Sequence, residues 1–379
     1  MTNVIRVLVV DDSAFVRKVV SQMLARSPFI EVVGMARDGG EALDMVERVK
    51  PDVITLDLMM SPMNGVEFIR EQMARRPIPV VTCSIAHETG ALALDAFDAG
   101  AVEFVQKPTA LATDRLLDIS EELVSKVKAA AAVQMKNLER VIRGRNGRAP
   151  LAVGDGGTAA APAAPTPSGV GARRAEIVVI GTSTGGPQAL RYLIPKLPAD
   201  FPVPVAIALH MPEGYTEMFA KRLDELSPLR VKEAEEGDIL RPGLVLLAPA
   251  GRHLTFTRDG SNVVRGHLDV RPIDTQHRPS VDVLFRAAAD AYGDAVIGVV
   301  MTGMGNDGLL GAAHIKGCGG RVVTEAESSC VVYGMPRVAF ERGGVMRQYA
   351  LAQISEAILD ACDGAPDRNG RSSGVVNAA

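Results

Sequence analysis

A hydroxyl, an imidazole and a carboxylate, each at the end of an apolar run, are the groups in this sequence best placed for covalent chemistry. Ser183 lies in VVIGTSTGGPQAL, His210 closes VPVAIALH, and Asp307 follows VIGVVM in VIGVVMTGMGNDG. Ser183 is open to three readings, because a strand, a Gly-rich turn and a helix in succession put backbone N–H groups and a positive helix dipole beside its hydroxyl. A phosphate cradle fits poorly, since no Lys follows the glycines and GTSTGG does not match GxGxxG. A helix cap would suffice for a lone serine. A nucleophile needs a base and an orienting acid, which His210 and Asp307 would supply from two other strand ends. GTSTG matches G-x-S-x-G, but the chain order Ser, His, Asp is not the Ser, Asp, His of α/β-hydrolases, which disfavours that fold. His87, His253, His267 and His314 lie in polar loops or helical stretches without an active-site signature, and His277, in QHRPS, is expected to line a neighbouring loop.

A second set of groups lies in the first third of the chain. Asp11 and Asp12 end the run VIRVLVV, Asp57 ends VITLD, Ser84 ends VVTCS, and Lys107 follows AVEFV. In a parallel α/β sheet such strand ends converge on one crevice. Three carboxylates there repel one another unless a hard cation joins them, and Mg²⁺ favours few carboxylates with phosphate and water oxygens. A hydroxyl at Ser84 and an ammonium at Lys107 suit a phosphoryl group on Asp57. Singly, each residue has a plain role, such as Ser13 or Asp12 as a helix N-cap; four strand ends together are harder to dismiss.

The elements that must position these groups follow from hydrophobic patterning. In the first half, five short Val/Ile/Leu runs alternate with helical segments beginning near Ser13, Gly39, Gly65 and Thr89, which predicts a parallel sheet covered on both faces and a flavodoxin-like winding. Leu116 to Ile142 reads as one long amphipathic helix. From Ala149 to Ala172 the density of Ala, Pro and Gly precludes a packed core and marks a linker. Its flanking arginines, Arg140, Arg143, Arg145, Arg148, Arg173 and Arg174, read as solvated linker ends. A flexible coil of about 30 residues spans roughly 30 Å, enough for two tethered domains to touch. In the second half EIVVIG, VPVAIAL and AVIGVVM read as strands of a mainly parallel sheet, whereas 231–265 is broken by Gly and Pro and its topology is not assigned.

Composition excludes several classes. With 379 residues, 47% of them hydrophobic, the chain can bury more than one core. A formal net charge of -4 offers no basic field for nucleic acid or an anionic membrane. Cys83, Cys318, Cys330 and Cys362 lack CxxC spacing, which argues against a zinc site or disulfide framework and for reduced thiols. The apolar start is too short for a signal peptide, and no run approaches the roughly 20 apolar residues of a membrane span. A soluble, cytoplasmic protein is expected.

Residues 4 to about 127 resemble the receiver domain of two-component response regulators, through the DD pair, Asp57, Ser84 and the KP at Lys107. The resemblance implies phosphorylation of Asp57 by a histidine kinase, with Asp11, Asp12, Asp57 and the Met59 carbonyl holding Mg²⁺. Ser84, Phe104 and Lys107 would form the switch. In one departure, Pro62 in LMMSPMNG stands one place later than the usual MP pattern. GTSTGGP, LHMPEGYTEMFAKRL, HRPSVDVLF and MTGMGNDG, spanning about 176 to 362, resemble the catalytic domain of chemotaxis protein-glutamate methylesterases, the CheB type. This second resemblance implies hydrolysis of γ-glutamyl methyl esters on chemoreceptors and deamidation of receptor glutamines, with no cofactor in the esterase domain. Ser183 would be the nucleophile, His210 the base and Asp307 its orienting acid, with Thr184 and Met304 in the oxyanion hole. The expected domains are a receiver at 1–127, a linker helix and Ala/Pro/Gly-rich linker at 128–174, a doubly wound α/β methylesterase domain at 175–362, and a disordered tail at 363–379. Methylated chemoreceptors and a histidine kinase are the expected partners, and a monomer the expected state. Two rivals remain: a DNA-binding output, for which neither a helix-turn-helix signature nor a basic helix is present, and an adaptor that kept the fold without the chemistry.

Overall fold

The structure, a computed structural model, describes residues 4–84, 86–107, 113–145, 174–345, 347–364 and 371–372. In the first half, β1 (Ile5–Val10), α1 (Ala14–Leu24), β2 (Ile30–Ala36), α2 (Gly39–Val49), β3 (Val53–Asp57), α3 (Gly65–Arg75), β4 (Val80–Ser84), α4 (Ala86–Ala99) and β5 (Glu103–Gln106) alternate without exception. The strands pair in the order β2-β1-β3-β4-β5, the flavodoxin-like winding. Every residue of β3 and β4 is buried, as strands covered on both faces must be. Asp38 caps α2, and Asn64 caps α3 in a reciprocal box with Glu67. Gly65 allows the chain to turn back tightly after Asp57: a Cβ there would lie 2.4 Å from the Asp57 carbonyl oxygen.

The single helix expected from Leu116 to Ile142 is two: α5 (Thr113–Ala131) and α6 (Met135–Arg145). The break has a tertiary cause. Gln134 N–H donates to the Val331 carbonyl at 2.9 Å, and Asn137 Nδ2 donates to the carbonyls of Cys330 at 2.9 Å and Glu327 at 3.3 Å. Both helices bury the same apolar stripe, with Leu123, Val127, Ala130 and Leu138 in a cluster that also holds Val331 and Val332. The predicted linker at 149–172 lies outside the described residues.

The second half contains β6 (Ile177–Thr182), α7 (Gly186–Leu193), β7 (Val205–Leu209), α8 (Thr216–Leu226), β8 (Arg230–Glu233), β9 (Leu244–Leu247), β10 (His253–Arg258), β11 (Val264–Asp269), α9 (Val281–Tyr292), β12 (Val296–Val300), α10 (Leu309–Gly317), β13 (Arg321–Glu325), α11 (Met335–Arg342), β14 (Arg347–Tyr349), α12 (Leu351–Asp363) and β15 (Arg371–Ser372). Among the described residues one sheet orders β15-β14-β13-β12-β6-β7-β9-β8, parallel except for β15, and β10 and β11 form a separate antiparallel hairpin. The region left unassigned in the sequence thus supplies the edge strand β8, its inner neighbour β9 and the hairpin. Its Gly and Pro residues fall between those pieces. Of the tail expected to be disordered from 363, α12 takes in Asp363 and residues 371–372 pair with β14, while 365–370 and 373–379 lie outside the described residues.

Candidate active site

In the larger sheet β6 lies between β7 and β12, with Thr182 beside Leu209 and Gly181 beside Val300. The next residues of all three strands therefore meet at one edge. Ser183 follows β6 and is held by its N–H donating to the Thr302 carbonyl at 3.0 Å. The turn closes by Gly186 N–H donating to the Ser183 carbonyl at 2.7 Å. Gly185 has φ +79° and a Cβ there would meet Val331 at 2.5 Å, so this turn requires glycine. The capping residue of α7 is Gly185, and no side chain caps the helix, so Ser183 is not serving as a cap.

His210 follows β7, its N–H donating to the Thr182 carbonyl at 3.1 Å. Its Nε2 lies 2.9 Å from Asp307 Oδ2, which assigns the proton to Nε2. Nδ1 is buried without a hydrogen-bond partner, leaving it as the basic nitrogen. The His210 ring stacks on His277 with centroids 4.0 Å apart and planes at 26°.

Asp307 accepts far more than the imidazole. Ser280 Oγ donates to it at 2.9 Å, and so do the N–H groups of Val281 at 2.8 Å, Asp282 at 2.9 Å and Gly308 at 3.0 Å. The first two N–H groups open α9, so the carboxylate sits at a helix N-terminus. Burial alone would raise its pKa, but His210 and the Asp282 and Val281 N–H groups outweigh it and hold the carboxyl well below the usual range. Gly305 and Gly308, at φ +92° and +96°, give the loop the bend expected around Asp307.

Thr184 and Met304, the residues expected at an oxyanion hole, flank this edge. Gly303 approaches Ser183 so closely that a Cβ on it would be 2.8 Å from Ser183 Cβ, which puts the segment leading to Met304 against the hydroxyl-bearing residue.

At the other sheet, Asp11, Asp12 and Asp57 place carboxylate oxygens within 4.8 Å of one another. Lys107 Nζ bridges Asp11 at 2.6 Å and Asp57 at 2.8 Å. Burial raises the Asp57 pKa against the lowering effect of Lys107. The Lys107 N–H donates to the Ser84 carbonyl at 2.9 Å, tying the β4 and β5 ends. The Met59 N–H donates to Asp57 Oδ1 at 3.3 Å.

Both halves of the chain match known families. A family model described as CheB methylesterase matches residues 178–358, and one described as response regulator receiver domain matches residues 7–119. Protein-glutamate methylesterase/protein-glutamine glutaminase 5 of Myxococcus xanthus is 50% identical over 347 residues, covering 89% of this chain and 92% of its own. The chain belongs to the CheB methylesterase family. A Chromobacterium violaceum relative, protein-glutamate methylesterase/protein-glutamine glutaminase 1, is 45% identical, covering 93% of this chain and 98% of its own. The crystal structure of the Thermotoga maritima CheB methylesterase catalytic domain matches at 41% identity with a TM-score of 0.48, covering 49% of this chain and 98% of that one.

Several residues of this CheB-family site escaped the sequence reading. His253, dismissed there, is fully buried; its Nδ1 accepts the Ser280 N–H at 3.1 Å and thereby fixes the residue whose hydroxyl grips Asp307. Burial holds its pKa down. His277 lies directly on the His210 ring rather than merely nearby, and burial, then the charge of His210, push its pKa down to about 4. Ser280, before VDV, carried the signal of a helix N-cap, and both it and His277 fall within HRPSVDVLF. His267 and His314 make exposed pairs with Glu236 and Asp290, as their dismissal requires.

The receiver domain reaches this site. Thr184 Oγ1 donates to Glu103 Oε1 at 2.5 Å, Gln188 Nε2 donates to the Ala101 carbonyl at 2.6 Å, and Arg191 pairs with Asp98. The rings of Phe104 and Tyr215 lie 4.4 Å apart.

Proposed function

We propose that this protein is a phosphorylation-controlled protein-glutamate methylesterase, with glutaminase activity at the same site, acting on methylated chemoreceptors in chemotactic adaptation. The observation that carries the reading is the part-buried His210–Asp307 pair at the strand end beside Ser183, with Nδ1 of His210 left free to accept a proton. Ser183 Oγ bonds to the ester carbonyl carbon as its proton passes to His210 Nδ1. Asp307 stabilises the resulting imidazolium through Nε2. The backbone N–H groups of Thr184 and Met304 receive the tetrahedral oxyanion, each worth ~3 kcal/mol in such sites. His210 then protonates the methoxy oxygen, and methanol leaves. A water deprotonated by His210 attacks the acyl-enzyme, releasing the glutamate carboxylate and restoring Ser183. With a glutamine substrate the leaving group is ammonia.

Control runs through Asp57. The carboxylates of Asp11, Asp12 and Asp57 lie close enough to share one hard cation. Mg²⁺ on them and on the Met59 carbonyl would neutralise phosphoryl oxygens. The chain's own part is the Lys107 bridge and the Ser84 hydroxyl, which reorganise once Asp57 carries a phosphoryl group from a histidine kinase. Phe104, one strand end away, then leaves Tyr215, and the receiver domain (1–127) frees the methylesterase domain (175–362) that it covers. No described helix is long and apolar enough to cross a membrane; a cytoplasmic monomer completes the reading. Methanol release from methylated receptor by the wild type, lost in a folded Ser183→Ala variant, tests it; release by that variant removes the assignment.

A further inference from the structure

Thr302 has no part in the mechanism above, yet its atoms tie the Ser183 turn to the strand end that leads to Met304. Its carbonyl accepts the Ser183 N–H at 3.0 Å and the Thr182 hydroxyl at 2.7 Å. Its hydroxyl donates to the Thr184 carbonyl at 2.9 Å and accepts the Val332 N–H at 2.9 Å. The remaining group, its N–H, donates to Glu325 Oε2 at 2.9 Å. Thr302 is wholly buried, and all of its polar groups are spent on these contacts.

Glu325 ends β13 and is 1% exposed, an unfavourable place for a carboxyl unless its oxygens are used. They are used: Oε1 accepts the Ser329 hydroxyl at 2.9 Å while Oε2 takes the Thr302 N–H. Ser329 in turn accepts the Leu351 N–H at 2.9 Å, anchoring the group to the start of α12. The carboxyl therefore links the start of α12 to a residue that joins the Ser183 turn to the segment before Met304.

We infer that Glu325, acting through Thr302, is a positioning residue for the esterase: it sets the nucleophile turn and the oxyanion segment in register with each other. The inference rests on the esterase reading. Its physical basis is that an apolar side chain at 325 would leave the Thr302 N–H buried without an acceptor, and the strand end would shift to satisfy it. A displacement of about 1 Å at a reacting group can cost about 100-fold in rate.

The test uses the full chain with a small phosphodonor present, measuring kcat and KM on methylated receptor alongside thermal melting. Glu325→Leu should lower kcat by about 100-fold while KM changes little. Glu325→Gln keeps an acceptor oxygen for the Thr302 N–H and should restore most of kcat. Thr302→Val, which leaves the Glu325 contact intact but removes the hydroxyl between Thr184 and Val332, should also lose kcat, and Thr302→Ser should regain it. The second pair decides the matter if Glu325→Leu does not fold. Folded Glu325→Leu with wild-type kcat, a Gln variant as poor as Leu, or Val and Ser variants of equal kcat would each overturn the inference. Absence of Ser183-dependent turnover in the wild type would overturn the esterase reading itself, and this inference with it.

Discussion

The Thr184 hydroxyl and the Glu103 carboxylate meet at 2.5 Å across the boundary between the two domains. Glu103 begins β5 of the receiver domain, and Thr184 is the neighbour of Ser183. Lys126 Nζ holds the same carboxylate from behind at 3.6 Å and donates to the Phe104 carbonyl at 2.5 Å. The receiver thus grips the residue proposed to supply an oxyanion donor. A hydrogen bond to a charged group contributes about 1.5 kcal/mol or more. Glu103→Ala should therefore raise activity of the unphosphorylated chain by roughly tenfold, measured as initial methanol release without phosphodonor, and shrink the further gain on phosphorylation.

Asp57→Asn should abolish the response to a small phosphodonor. Stimulation of that variant, measured by the same methanol release, would move the phosphorylation site elsewhere.

Asp307 joins His210 to the start of α9, so its loss has two consequences. Asp307→Asn should reduce kcat by roughly 10⁴-fold, the scale for an orienting aspartate, and Asp307→Ala should in addition lower stability by about 1–2 kcal/mol, as loss of a helix cap does. Because its pKa is lowered on folding, the carboxylate's contribution is complete above the ordinary carboxylate pKa of about 4 and declines as pH falls through that range. Acid titration of the wild type and the Asn variant, followed by near-ultraviolet circular dichroism, reads the difference.

His277 touches the base without sharing its proton. With its pKa down at about 4, it is neutral through the working range. The acid limb of kcat/KM should therefore have a slope of one, reporting one protonation, and not two. His277→Ala removes the face that holds the His210 ring and should lower kcat more than it alters KM.

Glu325 predicts a pH effect of the opposite sign to Asp307. Burial, only partly offset by the Thr302 N–H and the Ser329 hydroxyl, raises its pKa to about 7. A carboxyl raised on folding stabilises the folded state most below its unfolded pKa, and that contribution is lost as pH rises through the folded value. Stability measured by urea titration should decline from about pH 5 to about pH 8, and Glu325→Gln should flatten the decline.

The parts legible in the sequence were those fixed by local pattern. Asp11, Asp57, Ser84, Ser183 and His210 lie at or just beyond the ends of apolar runs, and a parallel sheet brings such positions together whatever the loops do. The break between α5 and α6 was not legible, because the apolar stripe continues through it and the cause is a hydrogen bond from Gln134 to Val331, distant in sequence. The stacking of His277 on His210, the grip of His253 on Ser280 and the hold of Glu325 on Thr302 were hidden for a similar reason, because each joins residues distant in sequence. The Glu103–Thr184 contact is between domains, and no single-strand pattern encodes it.

The central claim, that Ser183, His210 and Asp307 hydrolyse a glutamate methyl ester under receiver control, is tested most directly by methanol release from methylated receptor with and without a small phosphodonor. The account predicts slow release by the full chain, faster release with the phosphodonor, and none from Ser183→Ala in either condition. Equal release by the Ser183→Ala variant, or release unchanged by phosphorylation of Asp57, would contradict it.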